Sequence, residues 1–503
     1  MHKNALANLI GRVYTSALRV LLIPLYLQLI GVEGYGVIGF YLTLRNLLAL
    51  LDFGFGATFL REMARLSASN DEESVLAQRR LMHSLEVVYW TVAVIAGIGI
   101  YFLAPWIAGE WLHPDQIAPD TLRRAVRLMG VAACVLFPLS LYQGGLLGLQ
   151  RQVTVNVLNI VLGTLQDAGV LLVLYFVSPT VTAFFTWHVG TSLVWVLVTG
   201  LMLRRAVPMV RGVTFSVASL ASVWRFAAGW MGNSVASALM MQADKIVAVR
   251  LLTLQEFGYY TIAQSVAMFV ITLAGPVQIA AFPRFSQLSV AGDEEALARE
   301  YDRSSQILAL FVFPVAALLM VYPWEILRLW TQREDVAVAA GPLVAIFGLG
   351  ALFSAIASMP NSMQIAHGWF RPILTVSFIA GICGIPAILL AARSFGTQGV
   401  AIIWAAQNAA LLIPAALLHR RLLRGFGWRW LMRGVAIPAA ATMATVLFLR
   451  SLVSLSDNRL LGVLGLGVIG LSAGVAVILV SPLLRETFRA GVGRLWAAGG
   501  RAH

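Results

Sequence analysis

The chain has 503 residues, of which 59% are hydrophobic and only 12% are charged, whereas soluble domains carry about 25% charged residues. This composition excludes a soluble domain of useful size. The formal net charge is +13, but the arginines lie mostly in short segments between apolar blocks, where membrane topology accounts for them. Nucleic acid is therefore excluded as a partner.

Apolar blocks of about 20 residues, the length that crosses roughly 30 Å of hydrocarbon, recur along the chain. They are continuous rather than alternating, which favours helices. We predict an all-α, polytopic membrane protein with about fourteen transmembrane helices. The predicted helices span residues 9–30, 35–58, 81–108, 123–149, 153–177, 179–203, 222–252, 256–280, 305–330, 337–364, 371–392, 396–419, 431–454 and 459–482. The two longest loops, 59–80 and 281–304, are expected to form short interfacial helices.

The distribution of arginine predicts the orientation in the membrane. If the N-terminus is cytoplasmic, most arginines fall in inner loops and in the C-terminal tail, which indicates that both termini are cytoplasmic. The outer loops hold chiefly Arg123, Arg124, Arg333, Arg393 and Arg459. On the inner side, the segment Arg420–Arg433 with Trp428 and Trp430 is typical of an aromatic and basic interface anchor.

The chain also repeats itself. Residues Leu29–Gly36 align with Leu251–Gly258 at an offset of 222 residues, and Phe59–Arg61 aligns with Phe282–Arg284 at an offset of 223. Six predicted helices separate the copies, so both copies run the same way through the membrane. We therefore predict two six-helix lobes in a parallel pseudo-repeat, which is an architecture of alternating-access transporters. The expected domains are 1–211, 212–420, and a segment of two extra helices and a cytoplasmic tail at 421–503.

Several ionisable side chains lie inside predicted spans, where each costs about 2.5–3.5 kcal/mol on insertion scales and should face a cavity or a partner. These residues are Arg12, Arg19, Arg45, Asp52, Asp167, Asp244 and Lys245.

One hypothesis is a cationic cavity formed by Arg12, Arg19, Arg45 and Lys245, because guanidinium groups bind phosphate oxygens bidentately. In the alternative, Arg12 extends to the cytoplasmic surface, and Asp52 and Asp244 form structural ion pairs or cap helix ends.

Two stretches in the first half resemble a known family. Leu29–Gly36, followed by Leu50–Phe55, resembles the first-lobe signature of the Wzx-type polysaccharide flippases. These proteins are a branch of the multidrug/oligosaccharidyl-lipid/polysaccharide exporter superfamily. Residues Gln242–Ile246 and Phe257–Ala263 resemble the second-lobe signature, and Gly396–Ala401 resembles the glycine-rich turn before the twelfth helix.

The resemblance covers roughly residues 5–420. It implies two six-helix bundles plus two further helices in the bacterial inner membrane. It also implies translocation of an undecaprenyl-pyrophosphate-linked oligosaccharide, for O-antigen, capsule or exopolysaccharide biosynthesis. The expected partners are the lipid-linked glycan, the lipid bilayer and the polysaccharide polymerase machinery. Structural or coupling roles are expected at the motif positions Asp52, Gly54, Asp244, Gly258 and Tyr260.

Three other functions remain to be weighed against the flippase. An ion-coupled exporter of small amphipathic compounds would favour an acidic cavity, whereas arginine outnumbers acidic residues here. A membrane enzyme would gather catalytic groups on an outer loop, and the sequence predicts no catalytic residue, metal or cofactor, with Cys134 and Cys383 both inside apolar blocks. A scaffold of a polysaccharide-synthesis complex stays open.

Overall fold

The computed structural model describes residues 2–69, 71–207, 214–221, 242–423 and 425–486, without the side chains of residues 2–10, 12 and 13. Within these ranges every regular element is a helix. The chain divides into two compact units, Met1–Thr261 and Ile262–His503. The predicted all-α class is confirmed. Most of the predicted helix 222–252 lies outside the described residues, and the predicted domain boundaries at 211 and 420 stay predictions.

The first unit contains eight helices that begin and end within the described residues. They are α1 (His2–Leu48), α2 (Phe55–Leu66), α3 (Glu72–Trp106), α4 (Pro119–Leu136), α5 (Leu139–Gly148), α6 (Gln152–Asp167), α7 (Gly169–Phe176) and α8 (Val181–Ala206). A 3-10 turn at Ala49–Asp52 follows α1, and a π-helical turn at Ile107–Trp111 ends α3. Residues 242–251 are also helical.

Helix α9 (Leu254–Ala291) belongs to the first unit up to Thr261 and continues into the second. The other described helices of the second unit are α10 (Glu294–Val321), α11 (Pro323–Thr331), α12 (Glu334–Ala366), α13 (Arg371–Ala410), α14 (Ile413–Arg421), α15 (Gly427–Trp430), α16 (Ile437–Leu452) and α17 (Arg459–Val480). A π-helical turn at Leu431–Ala436 joins α15 to α16.

The described residues include eleven helical spans that are long and apolar enough to cross a membrane. Two of these spans contain a break, at Gly31 (φ 73°, ψ 176°) and at Gly396 (φ 56°, ψ −137°). Gly31 falls between the first and second predicted helices, and Gly396 is the first residue of the predicted twelfth helix. Glycine has no Cβ and adopts positive φ readily, which is why the chain can turn there. The polytopic membrane class is confirmed, and the number fourteen stays a prediction.

Several predicted helix ends differ from the structure, including ends that border the two longest predicted loops. The second predicted helix, 35–58, ends at Leu48, and left-handed residues Phe53 (φ 48°) and Gly54 (φ 78°) then lead into α2. The predicted loop 281–304 shortens to Gly292 and Asp293, because α9 and α10 continue beyond their apolar blocks. Asp293 caps α10, its Oδ1 accepting from the Ala296 amide at 2.9 Å. Hydropathy locates the end of an apolar block, whereas a cap locates the end of a helix.

The two copies of the repeated motif contact each other at equivalent positions. A Cβ built on Gly36 would lie 2.1 Å from the Leu254 carbonyl oxygen, and one built on Gly258 would lie 2.4 Å from the Val32 carbonyl oxygen. Val32 and Leu254 are equivalent in the repeat, as are Gly36 and Gly258. The contact is therefore self-complementary, as in an interface about a two-fold axis. Glycine is required at both positions because a side chain would displace the opposing backbone.

Each unit has its own apolar core. In the first unit, Phe59, Leu141 and Leu203 are fully buried in a cluster that joins α2, α5 and α8. In the second unit, Val446 of α16 and Ala473 of α17 are fully buried in a cluster that also contains residues of α10. The last two described helices thus pack on α10 within the second unit.

Candidate functional site: an arginine cavity in the first unit

A cavity of about 440 Å³ lies among helices of the first unit. Its wall is formed by α1, the 3-10 turn that follows it, and residues of α4, α5, α6 and α8. Arg19, Arg45 and Asp52 all lie on this wall. The structure therefore brings together three of the residues that the sequence singles out, and we call this space the arginine cavity.

Arg19 is held in place by an ion pair across two helices. Its Nε donates to Oδ2 of Asp167, the last residue of α6, at 3.0 Å. The Arg19 side chain is 48% exposed, whereas that of Asp167 is 16% exposed. The Tyr26 hydroxyl, also on α1, donates to the Asp167 backbone carbonyl. These contacts fix the guanidinium at the cavity wall and leave part of it accessible.

Arg45 differs from Arg19 in its surroundings. Within the described part of the chain, no carboxylate oxygen lies within 4 Å of the Arg45 guanidinium. An intramembrane arginine without an acidic partner is costly unless it faces a water-filled cavity or a ligand. Arg45 is therefore the strongest candidate for contact with an anionic ligand in the arginine cavity.

Asp52 has hydrogen-bond partners of its own. Its carboxylate accepts from the Gly56 amide at 3.1 Å and from the Tyr89 hydroxyl of α3. The Gly56 contact lies in the first turn of α2, where a negative charge is favoured by the helix dipole. Gly54, in the left-handed conformation, lets the chain turn back so that this contact forms. These contacts favour a structural role for Asp52. Arg19 and Arg45 are then the charged side chains on the wall that can donate hydrogen bonds to a ligand.

The remaining predicted site residues lie elsewhere. Lys245 is not on the wall of the arginine cavity, and its Nζ lies 3.6 Å from Oδ2 of the fully buried Asp244. The Tyr260 hydroxyl donates to the same Asp244 oxygen at 2.6 Å. Asp244, Lys245 and Tyr260 therefore form a cluster of their own, next to the Gly258 contact. The side chain of Arg12 lies outside the described residues, so its place in a cationic cavity stays a prediction.

Neutral polar residues on the wall were not predicted from the sequence. Gln143 of α5 and Asn159 of α6 both line the cavity, and Gln143 Nε2 donates to Asn159 Oδ1 at 2.7 Å. Amides carry no formal charge, so they do not stand out as ionisable residues do in an apolar helix. Among the described residues, no group of three or more His, Cys, Asp or Glu is arranged to hold a metal ion.

Comparison with known proteins identifies the family. The model of a family described as "Polysaccharide biosynthesis protein" matches residues 1–289, which is more than half of the chain. The chain belongs to this family. The match confirms the resemblance to the polysaccharide flippases of the multidrug/oligosaccharidyl-lipid/polysaccharide exporter superfamily. A second model, MatE, matches residues 231–390.

Individual relatives are distant but cover most of the chain. A Shigella flexneri protein described as "Putative O-antigen transporter" is 20% identical over 420 residues, which are 83% of this chain and 96% of the relative. The lipid II flippase MurJ in an inward closed conformation superposes with a TM-score of 0.71 at 11% identity, over 98% of this chain and 100% of that one.

An inward-facing MATE multidrug transporter superposes with a TM-score of 0.67 at 15% identity, over 81% of this chain and 94% of that one. At these identities the solved structures show a shared fold alone. The family match, and not these structures, identifies the chain as a membrane protein of polysaccharide biosynthesis.

Proposed function

We propose that this protein moves an undecaprenyl-pyrophosphate-linked oligosaccharide from the inner to the outer leaflet of the bacterial inner membrane by alternating access. The product would serve O-antigen, capsule or exopolysaccharide biosynthesis. The observation that carries the proposal is the arginine cavity, in a chain of the polysaccharide biosynthesis family. Such a substrate has a diphosphate between lipid and sugar, and this anion must cross the membrane inside the protein.

Arginine suits the diphosphate for geometric reasons. The planar guanidinium donates two parallel hydrogen bonds to phosphate oxygens, and these bonds strengthen where water is excluded. In our proposal Arg45 binds the diphosphate directly. Arg19, already oriented by Asp167, adds a second donor without having to order a mobile side chain on binding. Arg12 and Lys245 remain proposed contacts at other stages of the movement.

Asp52 and Asp244 are assigned positioning roles in this proposal. Asp52 fixes the turn between α1 and α2 through Gly56 and Tyr89, so it holds the end of the helix that carries Arg45. Asp244 is tied to Tyr260 and Lys245. The protein acts as a transporter and not as an enzyme, with both termini cytoplasmic by the arginine distribution. Its proposed protein partner is the polysaccharide polymerase machinery.

A second candidate is an ion-coupled exporter of small amphipathic compounds. The MatE match over residues 231–390 favours it. The two arginines of the cavity wall argue against export of cationic compounds, because like charges repel in a site of low dielectric. Drug-resistance profiles on overexpression separate the two: the flippase leaves minimal inhibitory concentrations unchanged, whereas an exporter raises them.

The function is tested in cells that lack the protein and any second flippase for the same glycan. We expect the undecaprenyl-linked glycan to accumulate on the cytoplasmic face, where a membrane-impermeant sugar-oxidising reagent added to spheroplasts does not reach it. Wild-type protein should restore labelling. An exposed-surface variant, Glu295→Gln, serves as the expression-matched control and should restore it equally. Normal labelling in the deletion strain would overturn the proposal.

A further inference from the structure

The wall of the arginine cavity is divided by chemistry. Arg19 and Arg45 come from α1, whereas a set of uncharged polar side chains comes mostly from other helices. This neutral set consists of Thr15, Asn46, Ser140, Gln143, Asn159 and Trp195. We propose that the neutral set is a saccharide subsite, in which Gln143 and Asn159 recognise the hydroxyl groups of an uncharged sugar attached to the diphosphate. This inference rests on the proposed function.

The pairing of the two amides leaves a defined pattern of donors and acceptors. Because Gln143 Nε2 donates to Asn159 Oδ1 at 2.7 Å, the orientation of both amide planes is fixed. Gln143 Oε1 remains as an acceptor and Asn159 Nδ2 as a donor, and neither atom has a hydrogen-bond partner within the described part of the chain. A sugar hydroxyl both donates and accepts. Neighbouring hydroxyls of one ring therefore complement this pair.

The surroundings of the pair fit a pyranose ring. Trp195, from α8, is only 6% exposed and forms part of the same wall. Its indole offers an apolar face to the C–H groups of a sugar. Its Nε1 is buried without a hydrogen-bond partner among the described residues, so a ligand hydroxyl within reach would satisfy it. Ser140 adds a hydroxyl from α5.

Charge and size define the class of sugar. None of the six neutral side chains is ionisable, and in this proposal the diphosphate engages both arginines of the cavity. The carboxylate of an acidic sugar would therefore have no further cation on the wall to compensate its charge. The volume of about 440 Å³ corresponds to roughly fifteen water molecules at about 30 Å³ each. The arginine cavity therefore holds the diphosphate and the first sugar, and the rest of the glycan extends beyond it.

The test measures binding to the purified full-length protein in nanodiscs with three probes. The probes are inorganic pyrophosphate, a short-chain polyprenyl diphosphate bearing one neutral hexose, and the same lipid bearing a hexuronic acid. Gln143→Leu and Asn159→Leu remove hydrogen-bonding groups at similar volume. Asn156→Ala is the matched control, because Asn156 lies on α6 and is absent from the cavity wall. Its amide donates to the Gln152 carbonyl at 2.9 Å.

We expect Gln143→Leu and Asn159→Leu each to weaken binding of the hexose probe roughly five- to tenfold, since each removes one or two ligand hydrogen bonds. The affinity of these variants for pyrophosphate should stay within about twofold of the wild-type affinity, because both arginines remain in place. Wild type should bind the hexose probe more tightly than the hexuronic acid probe, and Asn156→Ala should match wild type throughout.

The outcomes separate this inference from the proposed function. If Arg45→Ala weakens all three probes while the Gln143 and Asn159 variants bind the hexose probe like wild type, the saccharide subsite is overturned and the anion site stands. If Arg45→Ala weakens none of the probes, the diphosphate site itself is overturned. Equal weakening of pyrophosphate and hexose probes by Gln143→Leu also contradicts the subsite, because it indicates a general disturbance of the cavity.

Discussion

The two units each contain an arginine–aspartate pair with the same separation and very different surroundings. Arg19 and Asp167 are 3.0 Å apart in the first unit, and Arg429 and Asp302 are 3.0 Å apart in the second. The first pair borders a cavity that also holds Arg45. The second pair joins a packed aromatic cluster. The comparison teaches that an ion pair inside a membrane protein does not by itself indicate a site. A site is indicated by adjacent free volume together with a further cation that has no carboxylate within 4 Å among the described residues.

The aromatic cluster of the second unit is closed by stacking. The Trp430 ring lies 4.8 Å from that of His419 and 6.1 Å from that of Tyr301, and its Nε1 donates to Ser305 Oγ at 3.1 Å. Asp302 is 2% exposed. These contacts hold the segment before α16 against α10, so we interpret the Arg429–Asp302 pair as a structural clamp for the last two described helices.

The largest effect on stability is expected for Arg429→Ala. It leaves the carboxylate of Asp302 buried without its ion-pair partner, and a buried acceptor that loses its partner costs about 1–3 kcal/mol. Asp302→Ala should cost less, because Arg429 is 43% exposed and can reach water. Thermal unfolding of the purified variants in detergent measures both. Transport per folded molecule should stay within about twofold of wild type. Equal melting temperatures for Arg429→Ala and wild type would contradict the clamp.

A smaller effect on stability and a larger one on transport are expected for Arg19→Ala. The partly exposed pair should contribute about 1 kcal/mol or less to stability, whereas loss of one phosphate contact should lower the transport rate about tenfold, equivalent to 1.4 kcal/mol. Thermal unfolding and a flipping assay on the same preparation measure the two quantities.

Asp167→Asn tests the other partner of the same ion pair. It removes the competing carboxylate and retains a polar side chain, so binding of inorganic pyrophosphate should strengthen by about two- to fivefold. Weaker pyrophosphate binding in Asp167→Asn would mean that orientation of Arg19 by Asp167 matters more than the charge it removes.

The smallest effect is expected for Arg299→Ala. Arg299 pairs with Glu295 at 3.4 Å on an exposed face of α10, with side chains 64% and 87% exposed. Such surface pairs contribute about 0–1 kcal/mol. Both the melting temperature and the transport rate should match those of wild type. A large loss of either would show that exposure and adjacent free volume do not predict the relative importance of the three ion pairs for stability and transport.

The sequence predicted the elements that depend on composition and local chemistry. The apolar blocks gave the membrane class, and the breaks at Gly31 and Gly396 fall at predicted helix boundaries, because glycine marks backbone turns. The repeated motif made Gly36 and Gly258 equivalent, but their contact with each other came from the structure and was not predicted. The predicted end of α9 and the predicted start of α10 were wrong, because both helices continue beyond their apolar blocks and hydropathy does not report capping.

Side-chain partners were harder to predict. The penalty for burying a charge singled out Arg19, Arg45 and Asp167. Only tertiary packing pairs Arg19 with Asp167 and leaves Arg45 without a carboxylate among the described residues. Lys245 was grouped with the arginines by charge alone, and the structure places it beside Asp244. Burying a neutral side chain such as that of Gln143 in the membrane costs too little free energy for the residue to be recognised before the fold is known.

The central claim is that Arg45 binds the diphosphate of a lipid-linked glycan, and flipping in proteoliposomes tests it most directly. The measurement is the initial rate at which an undecaprenyl-diphosphate-linked glycan changes leaflet, with wild type, Arg45→Ala and Arg45→Lys at equal protein density. We predict that Arg45→Ala lowers the rate at least about tenfold, with Arg45→Lys between the two, because an ammonium group keeps the charge but cannot bind bidentately. A wild-type rate for Arg45→Ala would contradict the account.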